Sequence, residues 1–382
     1  MEGISDYYEY GDSCDQDDPE TFMNLTVEEA QGLLLYSHWD RFYIQYILPF
    51  LLFVGVLDNT AFIYVVAKQS SMKTATNRYL VNLAIADIVF LLSVIGEKLW
   101  KYINSPFVDD DTSLGHVGCI IVPFIGDTAY FSSLIFVTLV SAEIFFAVCY
   151  PKGKSLLQHR TWSIGLTIMA WVASALTAGF LIPSNLKVNV LCFTWPEDEE
   201  ICQKWPTELT TCGSTKKWFY TLAHVVQIVP FFITLVLNSF LYVKIVVGLN
   251  RSIERLRSHT SVKREGDTHL RNQIARMLVV NGVVFFLLLA PFEILSLLQA
   301  FQASIHANVE TIIAAISRAL MYFNSVVNPI IYTAMSQRYR EAFKSAFNPG
   351  PKCRILGSLP NRGAQPSSTQ TYFKMSQTTT KI

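Results

Sequence analysis

The chain has 382 residues, of which 51% are hydrophobic and 16% charged, and its 30 basic residues balance its 30 acidic ones. This composition is too apolar for an ordinary soluble domain and indicates a membrane protein. The charged residues are unevenly distributed along the chain, because residues 1–30 hold ten acidic residues and no Lys or Arg. Such asymmetry predicts that the two ends of the apolar segments face different compartments.

Seven apolar runs follow in chain order, each long enough for a membrane helix. They are approximately Phe42–Val66, Tyr79–Trp100, Val117–Val148, Ser163–Ile182, Trp218–Val247, Ala275–Phe301 and Ile312–Met335. We therefore predict an all-α membrane protein, a seven-transmembrane helix bundle. The last run carries Asn324, Ser325, Asn328 and Pro329 at hydrocarbon depth. Lipid cannot satisfy such groups, so they must face protein or trapped water inside the bundle.

Basic residues mark one side of the predicted membrane. They lie in the loops after the first, third and fifth runs and at the start of the tail. The positive-inside rule makes that side cytoplasmic. We expect a multi-pass plasma-membrane protein with its amino terminus outside and its carboxyl terminus in the cytoplasm. Asn24, in Asn-Leu-Thr, is then a glycosylation acceptor on the outer side.

Four regions follow from this topology: an acidic extracellular segment (1–41), the bundle (42–335), an amphipathic surface helix (336–347) and a disordered cytoplasmic tail (348–382). The helix is expected because aromatic residues recur at helical spacing opposite basic ones, which suits the inner membrane surface. The tail is rich in Pro, Ser, Thr and Gln. Its Cys353 is either a palmitoylation site or a plain thiol.

Five cysteines fall on the predicted outer side, where disulfides persist. They are Cys14, Cys119, Cys192, Cys202 and Cys212. An odd number leaves at least one unpaired or bonded to another chain, and spacing does not choose the pairs.

The seven apolar runs contain polar, aromatic, cysteine or proline residues that together form an ordered set along the chain. They are Asn59, the Asn-Leu-Ala-Ile-Ala-Asp of residues 82–87, Cys119, Trp171, Pro230, Pro291 and the Asn-Pro-Ile-Ile-Tyr of residues 328–332. With this ordered set, the chain resembles the rhodopsin-like (class A) G-protein-coupled receptors from about Tyr43 to Phe347. The long loop before the fifth run and the Val-Leu-Asn238 sequence resemble neuropeptide receptors of the FMRFamide-receptor type.

The resemblance implies a receptor for an extracellular peptide that signals through a heterotrimeric G protein. It also implies arrestin, receptor kinases and membrane lipids as partners; no nucleic acid is expected. The matching ligand positions are Glu97, Asp127, Tyr130, Glu293, Arg318 and Tyr322. Asp127 and Glu293 are expected to meet a basic side chain of the peptide. Arg318 is expected to receive a carboxylate or to pair with Glu293.

The family's mid-membrane acid corresponds to Asp87, and in the family this acid binds a sodium ion. The matching partners here are Ser133, Asn324 and Asn328, and the alternative is a hydrogen-bonded core acid with water. No other cofactor is expected. The family's outer disulfide ties Cys119 to the loop before the fifth run. Among three candidates we favour Cys192, because it lies in a strand-like segment.

The activation motifs depart from the family pattern. The third run ends in Glu143, Ile144 and Phe145 where the family has Glu/Asp-Arg-Tyr, so the arginine that locks the resting state and contacts the G protein is missing. Pro291 lacks the usual tryptophan before it, whereas Pro329 and Tyr332 are kept. The alternative reading is therefore an atypical or decoy peptide receptor, arrestin-biased or scavenging.

Other function classes fit less well. No nucleophile motif, metal-ligand cluster or phosphate-binding glycine loop is readable, so an enzyme is not expected. A transporter or channel would explain charges inside the membrane, but the two halves of the chain show no repeat.

Overall fold

The computed structural model describes residues 22–150, 159–195, 205–214, 216–258, 262–301 and 307–348. The predicted features of the first 21 residues, of Cys202 and of the tail from residue 349, including Cys353, lie outside these ranges. The elements in chain order are β1 (Phe22–Asn24), α1 (Val27–Leu33), α2 (His38–Phe42), α3 (Leu48–Lys68), α4 (Ala75–Asn104), α5 (Gly115–Cys149), α6 (Arg160–Gly179), β2 (Lys187–Thr194), β3 (Glu208–Gly213), α7 (Lys217–Ser258), α8 (Val262–Ala300), α9 (Ala307–Met335) and α10 (Gln337–Phe347).

Helices α3 to α9 form the bundle and correspond to the seven predicted runs. Helices α3 to α8 are long and apolar enough to cross a membrane. Helix α9 has 29 residues and holds the Asn and Ser residues that lower its hydropathy. The seven-helix prediction is confirmed. Several helices run past their apolar runs, because hydrophobicity determines where a helix crosses the bilayer but not where it ends.

The first spanning helix starts earlier than predicted. Ser37 caps α2 by accepting a hydrogen bond from the Asp40 amide, and the Asp40 side chain accepts one from the Ser37 amide in return. A π-helical turn, Tyr43–Ile47, then connects α2 to α3 without a break. Such a turn contains an additional residue and changes which side chains face inward.

The outer loops fold into a cap, defined here as β1, α1, β2, β3 and the loop holding Phe107. Strand β1 pairs in parallel with β2, and β2 pairs antiparallel with β3. Phe107 is completely buried and touches the rings of Phe193, Trp195 and Trp205. Residues 22–35 of the predicted 1–41 segment therefore belong to a structure with its own apolar core.

The outer disulfide joins Cys119 to Cys212, so the favoured pairing with Cys192 is wrong. Strand β3 is the one that lies over the start of α5, because Asp111 accepts a hydrogen bond from the Cys212 amide and its own amide donates to Thr210. Cys192 is at the opposite end of β2, next to β1, and belongs to another disulfide. Hairpin register decides this pairing.

The predicted amphipathic helix is confirmed as α10, with Ser336 as its N-cap, whereas its place on the membrane surface stays a prediction. Tyr339 is buried and donates a 2.5 Å hydrogen bond to Oδ1 of Asn77 at the start of α4. Burial raises the pKa of Tyr339, so the hydroxyl keeps its proton and remains a donor. Lys68 donates to the Ala346 carbonyl at the other end of α10. These bonds attach α10 to the inner ends of α3 and α4.

We predict that Phe107→Ala destabilises the cap, because removing a fully buried phenyl group costs about 3–5 kcal/mol. Hydrogen exchange of purified full-length protein should then accelerate in α1, β2 and β3 and stay unchanged in α4 and α5. Trp39→Ala is the control, since that side chain is 77% exposed. Unchanged exchange in the cap would contradict a core centred on Phe107.

Candidate functional site

A polar seam runs through the middle of the bundle between α3, α4 and α9. Asp87 is fully buried and accepts a 2.8 Å hydrogen bond from Nδ2 of Asn328. Asn59 is also fully buried, and its Nδ2 donates to the carbonyls of Gly55 and Ser325. Each of these hydrogen bonds provides a partner for a polar group that would have none in lipid.

Several oxygen atoms of this seam have no partner in the described part of the chain. They are Oδ1 of Asp87, Asn324 and Asn328. The remaining predicted ligand, Ser133, lies near Asp87 and donates its hydrogen bond to the Ala129 carbonyl of its own helix. A carboxylate and amide oxygens are the donors that a hard cation prefers. The residues present therefore fit the sodium site that the resemblance implies.

The outer pocket has an acidic wall on α5 and α8. Tyr130 donates a 2.5 Å hydrogen bond to Oε1 of Glu293, and both side chains are buried. Glu293 is thus bonded to Tyr130 and is not in an ion pair with Arg318. Asp127 lies one helical turn outward from Tyr130 on the same face of α5 and is partly exposed.

The opposite wall, on α4 and α9, is basic and aromatic. The Tyr322 ring packs against Phe90 of α4 at 6.2 Å between centroids. Arg318, one turn outward, is exposed and lies within electrostatic range of Tyr322 and Tyr43. The predicted ligand residue Glu97 is bound to Lys101, with 2.6 Å between Oε1 and Nζ. Lys101 also contacts Asp111, next to the outer disulfide.

The sequence analysis missed two residues of this pocket. Tyr43 enters through the π-helical turn at the outer end of the first spanning helix, for which the sequence has no simple signal. Lys101 follows Glu97 by four residues, and that spacing is a readable signal for an ion pair on one helix face.

The inner end of the bundle contains a cavity of about 310 Å³. Among the residues that line it are Thr74, Asn77, Glu143, Ile274, Arg338 and Tyr339. Oε2 of Glu143 accepts a 2.6 Å hydrogen bond from Thr76, which links α5 to α4. Ile144 is buried, and the Phe145 ring packs against Phe146 and Tyr150. Glu143 is thus hydrogen-bonded to an uncharged side chain of α4.

Helices α5, α7 and α8 meet around Tyr242. Its hydroxyl lies 3.1 Å from Oγ of Ser141 on α5. It also lies against Gly282 of α8, where an added Cβ would be 1.7 Å from the hydroxyl oxygen. One turn outward, Asn238 donates a 2.8 Å hydrogen bond to Thr138 of α5. Position 238 is thus an asparagine bonded to α5, and the tyrosine of this part of α7 is Tyr242, one turn further inward.

Pro291 and Pro329 lie inside the helices that border these sites. Pro291 is within α8, two residues before Glu293, and Pro329 is within α9, directly after Asn328. Each removes a backbone hydrogen bond and allows a bend. Tyr332 is buried against Phe62 and Tyr339, so the inner end of α9 packs on α3 and α10.

Comparison with known sequences points to one family. The sequence model of the 7 transmembrane receptor (rhodopsin family) matches residues 58–332. Neuromedin-U receptor 2 of Rattus norvegicus is 28% identical over 316 residues, covering 80% of this chain and 75% of that protein. Somatostatin receptor type 4 of Rattus norvegicus is 27% identical, with 79% and 71% covered. Thyrotropin-releasing hormone receptor of Bos taurus is 23% identical, with 77% and 75% covered.

We predict that Gly282→Ala lowers the melting temperature of the purified protein, because the new methyl group collides with the buried Tyr242 ring, and the ring or the two helices must shift. Overpacking of this kind typically costs about 1–3 kcal/mol.

Adding Tyr242→Leu should restore part of the loss by removing the colliding hydroxyl. Gly165→Ala on α6 is the control, since nothing lies within 4 Å of its added Cβ. Equal melting temperatures for Gly282→Ala and Gly165→Ala would exclude the tight contact.

Proposed function

Because the chain belongs to the rhodopsin family of seven-transmembrane receptors, we propose that it is a plasma-membrane receptor for an extracellular peptide that activates a heterotrimeric G protein. Its relatives are receptors named for neuromedin U, somatostatin and thyrotropin-releasing hormone, none of them an enzyme. The observation that carries the proposal is the outer pocket, whose charged and aromatic side chains come from four helices and include the Tyr130–Glu293 bond and the Phe90–Tyr322 contact.

The peptide lies between the two walls of this pocket. Asp127 is partly exposed and receives a basic group of the ligand, as expected from the sequence. Tyr322 supplies an aromatic wall. Glu293 is completely buried behind Tyr130, so it senses the ligand through that tyrosine. Glu97 orders the pocket rim through Lys101.

Signal transfer follows from the Tyr130–Glu293 bond. Glu293 is two residues outward from Pro291, so a ligand that moves Tyr130 acts on α8 next to its bend. A shift of the inner part of α8 would move Gly282 away from Tyr242 and open the inner cavity to a G protein. Ligand and G protein then favour the same arrangement and strengthen each other's binding.

A second candidate function is peptide binding with little G-protein activation. The observation that favours it is the pairing of Glu143 with Thr76, with the buried Ile144 where the family has arginine. The inner cavity then lacks the arginine that contacts the G protein in the family. In this case, arrestin recruitment or internalisation would replace G-protein activation as the response to the peptide. We rank the signalling receptor first because the seam, the prolines and Tyr332 are all present.

The test uses cells that express the full-length receptor and a panel of neuropeptides that includes neuromedin U, somatostatin and thyrotropin-releasing hormone. We expect at least one peptide to bind and to increase G-protein nucleotide exchange in the wild type, with a larger response for Ile144→Arg. Asp127→Asn should weaken binding of the active peptide about tenfold or more, because it removes a charge-assisted contact.

The outcomes separate the two candidates. If a peptide binds the wild type but only Ile144→Arg activates the G protein, the second candidate is correct. Binding without any response in either variant, combined with arrestin recruitment, would also favour the second candidate. If Asp127→Asn binds the active peptide as tightly as the wild type does, the placement of the ligand is wrong.

We further propose that the seam binds sodium through Asp87, Ser133, Asn324 and Asn328. The wild type should then melt a few degrees higher in sodium chloride than in choline chloride at equal ionic strength, because a ligand specific to the folded state stabilises it. Asp87→Asn should remove the difference, whereas Ser174→Ala, whose buried hydroxyl is bonded within its own helix, should keep it. Equal melting temperatures of the wild type in both salts would refute the site.

A further inference from the structure

The outer pocket is electrically bipolar, and this bears on the chemistry of the ligand. Its acidic wall holds Asp127 on α5, with Glu293 of α8 buried behind Tyr130. Its opposite wall holds Lys98 and Arg318, on α4 and α9. A ligand with only basic groups would satisfy the first wall and be repelled by the second.

The two cations lie close to each other. Tyr322 packs on Phe90, which aligns α9 with α4 at that depth. Arg318 is one turn outward from Tyr322, and Lys98 is eight residues outward from Phe90, about 12 Å along the helix. Lys98 and Arg318 lie within electrostatic range of each other, and so do Arg318 and Tyr43. Together they form a basic cluster over the α3, α4 and α9 side of the pocket.

No acid among the described residues lies within ion-pair distance of Lys98 or Arg318. Among the described residues, the only ion pairs within 4.0 Å are those that Lys101 makes with Glu97 and Asp111. Asp109 and Glu97 lie within electrostatic range of Lys98, but neither forms such a pair with it. Two neighbouring like charges repel each other, and a bound anion would relieve that repulsion.

An unused hydrogen-bond donor points to the same place. The Tyr43 hydroxyl is buried and has no hydrogen-bond partner in the described part of the chain, although it lies near Arg318. Arg318 presents a planar guanidinium group, whose paired N–H donors match the two oxygens of a carboxylate. An acceptor between Arg318 and Tyr43 would satisfy both.

We propose that Arg318, Lys98 and Tyr43 form a subsite for a carboxylate of the ligand, which therefore carries an acidic group as well as a basic one. This inference rests on the proposed function, since it concerns the same pocket. The carboxylate is either an acidic side chain or a free carboxyl terminus. A peptide with an amidated end and no acidic residue would lack it.

The experiment is affinity selection on full-length receptor in lipid nanodiscs, with synthetic hexapeptide libraries that each carry one arginine. One library has free carboxyl termini, a second is amidated and contains acidic residues, and a third is amidated without acidic residues. Bound peptides are identified by mass spectrometry for the wild type, Arg318→Gln, Lys98→Gln and Lys216→Gln. Lys216 is exposed in the loop before α7 and controls for loss of one positive charge.

We expect the wild type and Lys216→Gln to enrich peptides of the first or second library, and the library that is enriched identifies the source of the carboxylate. Arg318→Gln should lose this enrichment by about tenfold or more and Lys98→Gln by less, because Arg318 makes the bidentate contact. Surface expression and melting temperature show whether each variant is folded.

Two results would overturn the subsite. One is equal enrichment of the third library by the wild type. The other is a folded Arg318→Gln variant that still enriches acid-bearing peptides as the wild type does. In both cases the peptide-receptor proposal stands. If the wild type enriches no library while a natural neuropeptide binds, the subsite is wrong and the proposed function stands. If no peptide binds in either assay, the subsite and the proposed function are both wrong.

Discussion

Polar groups buried within a bilayer have to be satisfied by neighbouring helices, and the arrangement of this bundle depends on that requirement. Asp87 and Asn328 bond to each other across α4 and α9, and Asn59 bonds to the Ser325 carbonyl, which Pro329 frees from its usual donor. An unsatisfied group at this depth would cost several kcal/mol. These few bonds therefore determine which faces of α3, α4 and α9 meet.

The outer end is organised by a different interaction, the burial of aromatic rings under the cap. Phe107, Phe193, Trp195 and Trp205 pack together above the membrane, and the Cys119–Cys212 disulfide ties the sheet to α5. Because β1 joins this sheet, the chain before the first spanning helix becomes part of the pocket's surroundings. The pocket thus combines a fixed rim with charged walls, which favours a ligand that brings charges of its own.

The inner end shows how a family scaffold tolerates the loss of a key residue. Where the arginine is missing, Glu143 turns to Thr76, and Tyr242 fills the space between α5 and α8 at Gly282. The first contact is a hydrogen bond to a carboxyl group and the second is close packing, and neither supplies the positive charge of the missing arginine. Whether the cavity next to them accepts a G protein is the question that separates the two candidate functions.

The seven spanning helices, the seam residues and the surface helix could all be predicted from the chain. Each follows from a local rule: about 20 apolar residues span a bilayer, and a polar residue within such a run must face inward. The inward positions of Asp87 and Asn328 were therefore predictable. Their partners came from a resemblance, because one sequence contains no distances.

The tertiary structure alone decided the contacts between segments far apart in the chain. It paired Cys119 with Cys212, because the register of a hairpin sets which cysteine lies over α5. It also brought Tyr43 beside Arg318, because a π-helical turn alters the inward face of the first spanning helix. Composition and periodicity describe one segment at a time, whereas these contacts depend on how several segments pack together.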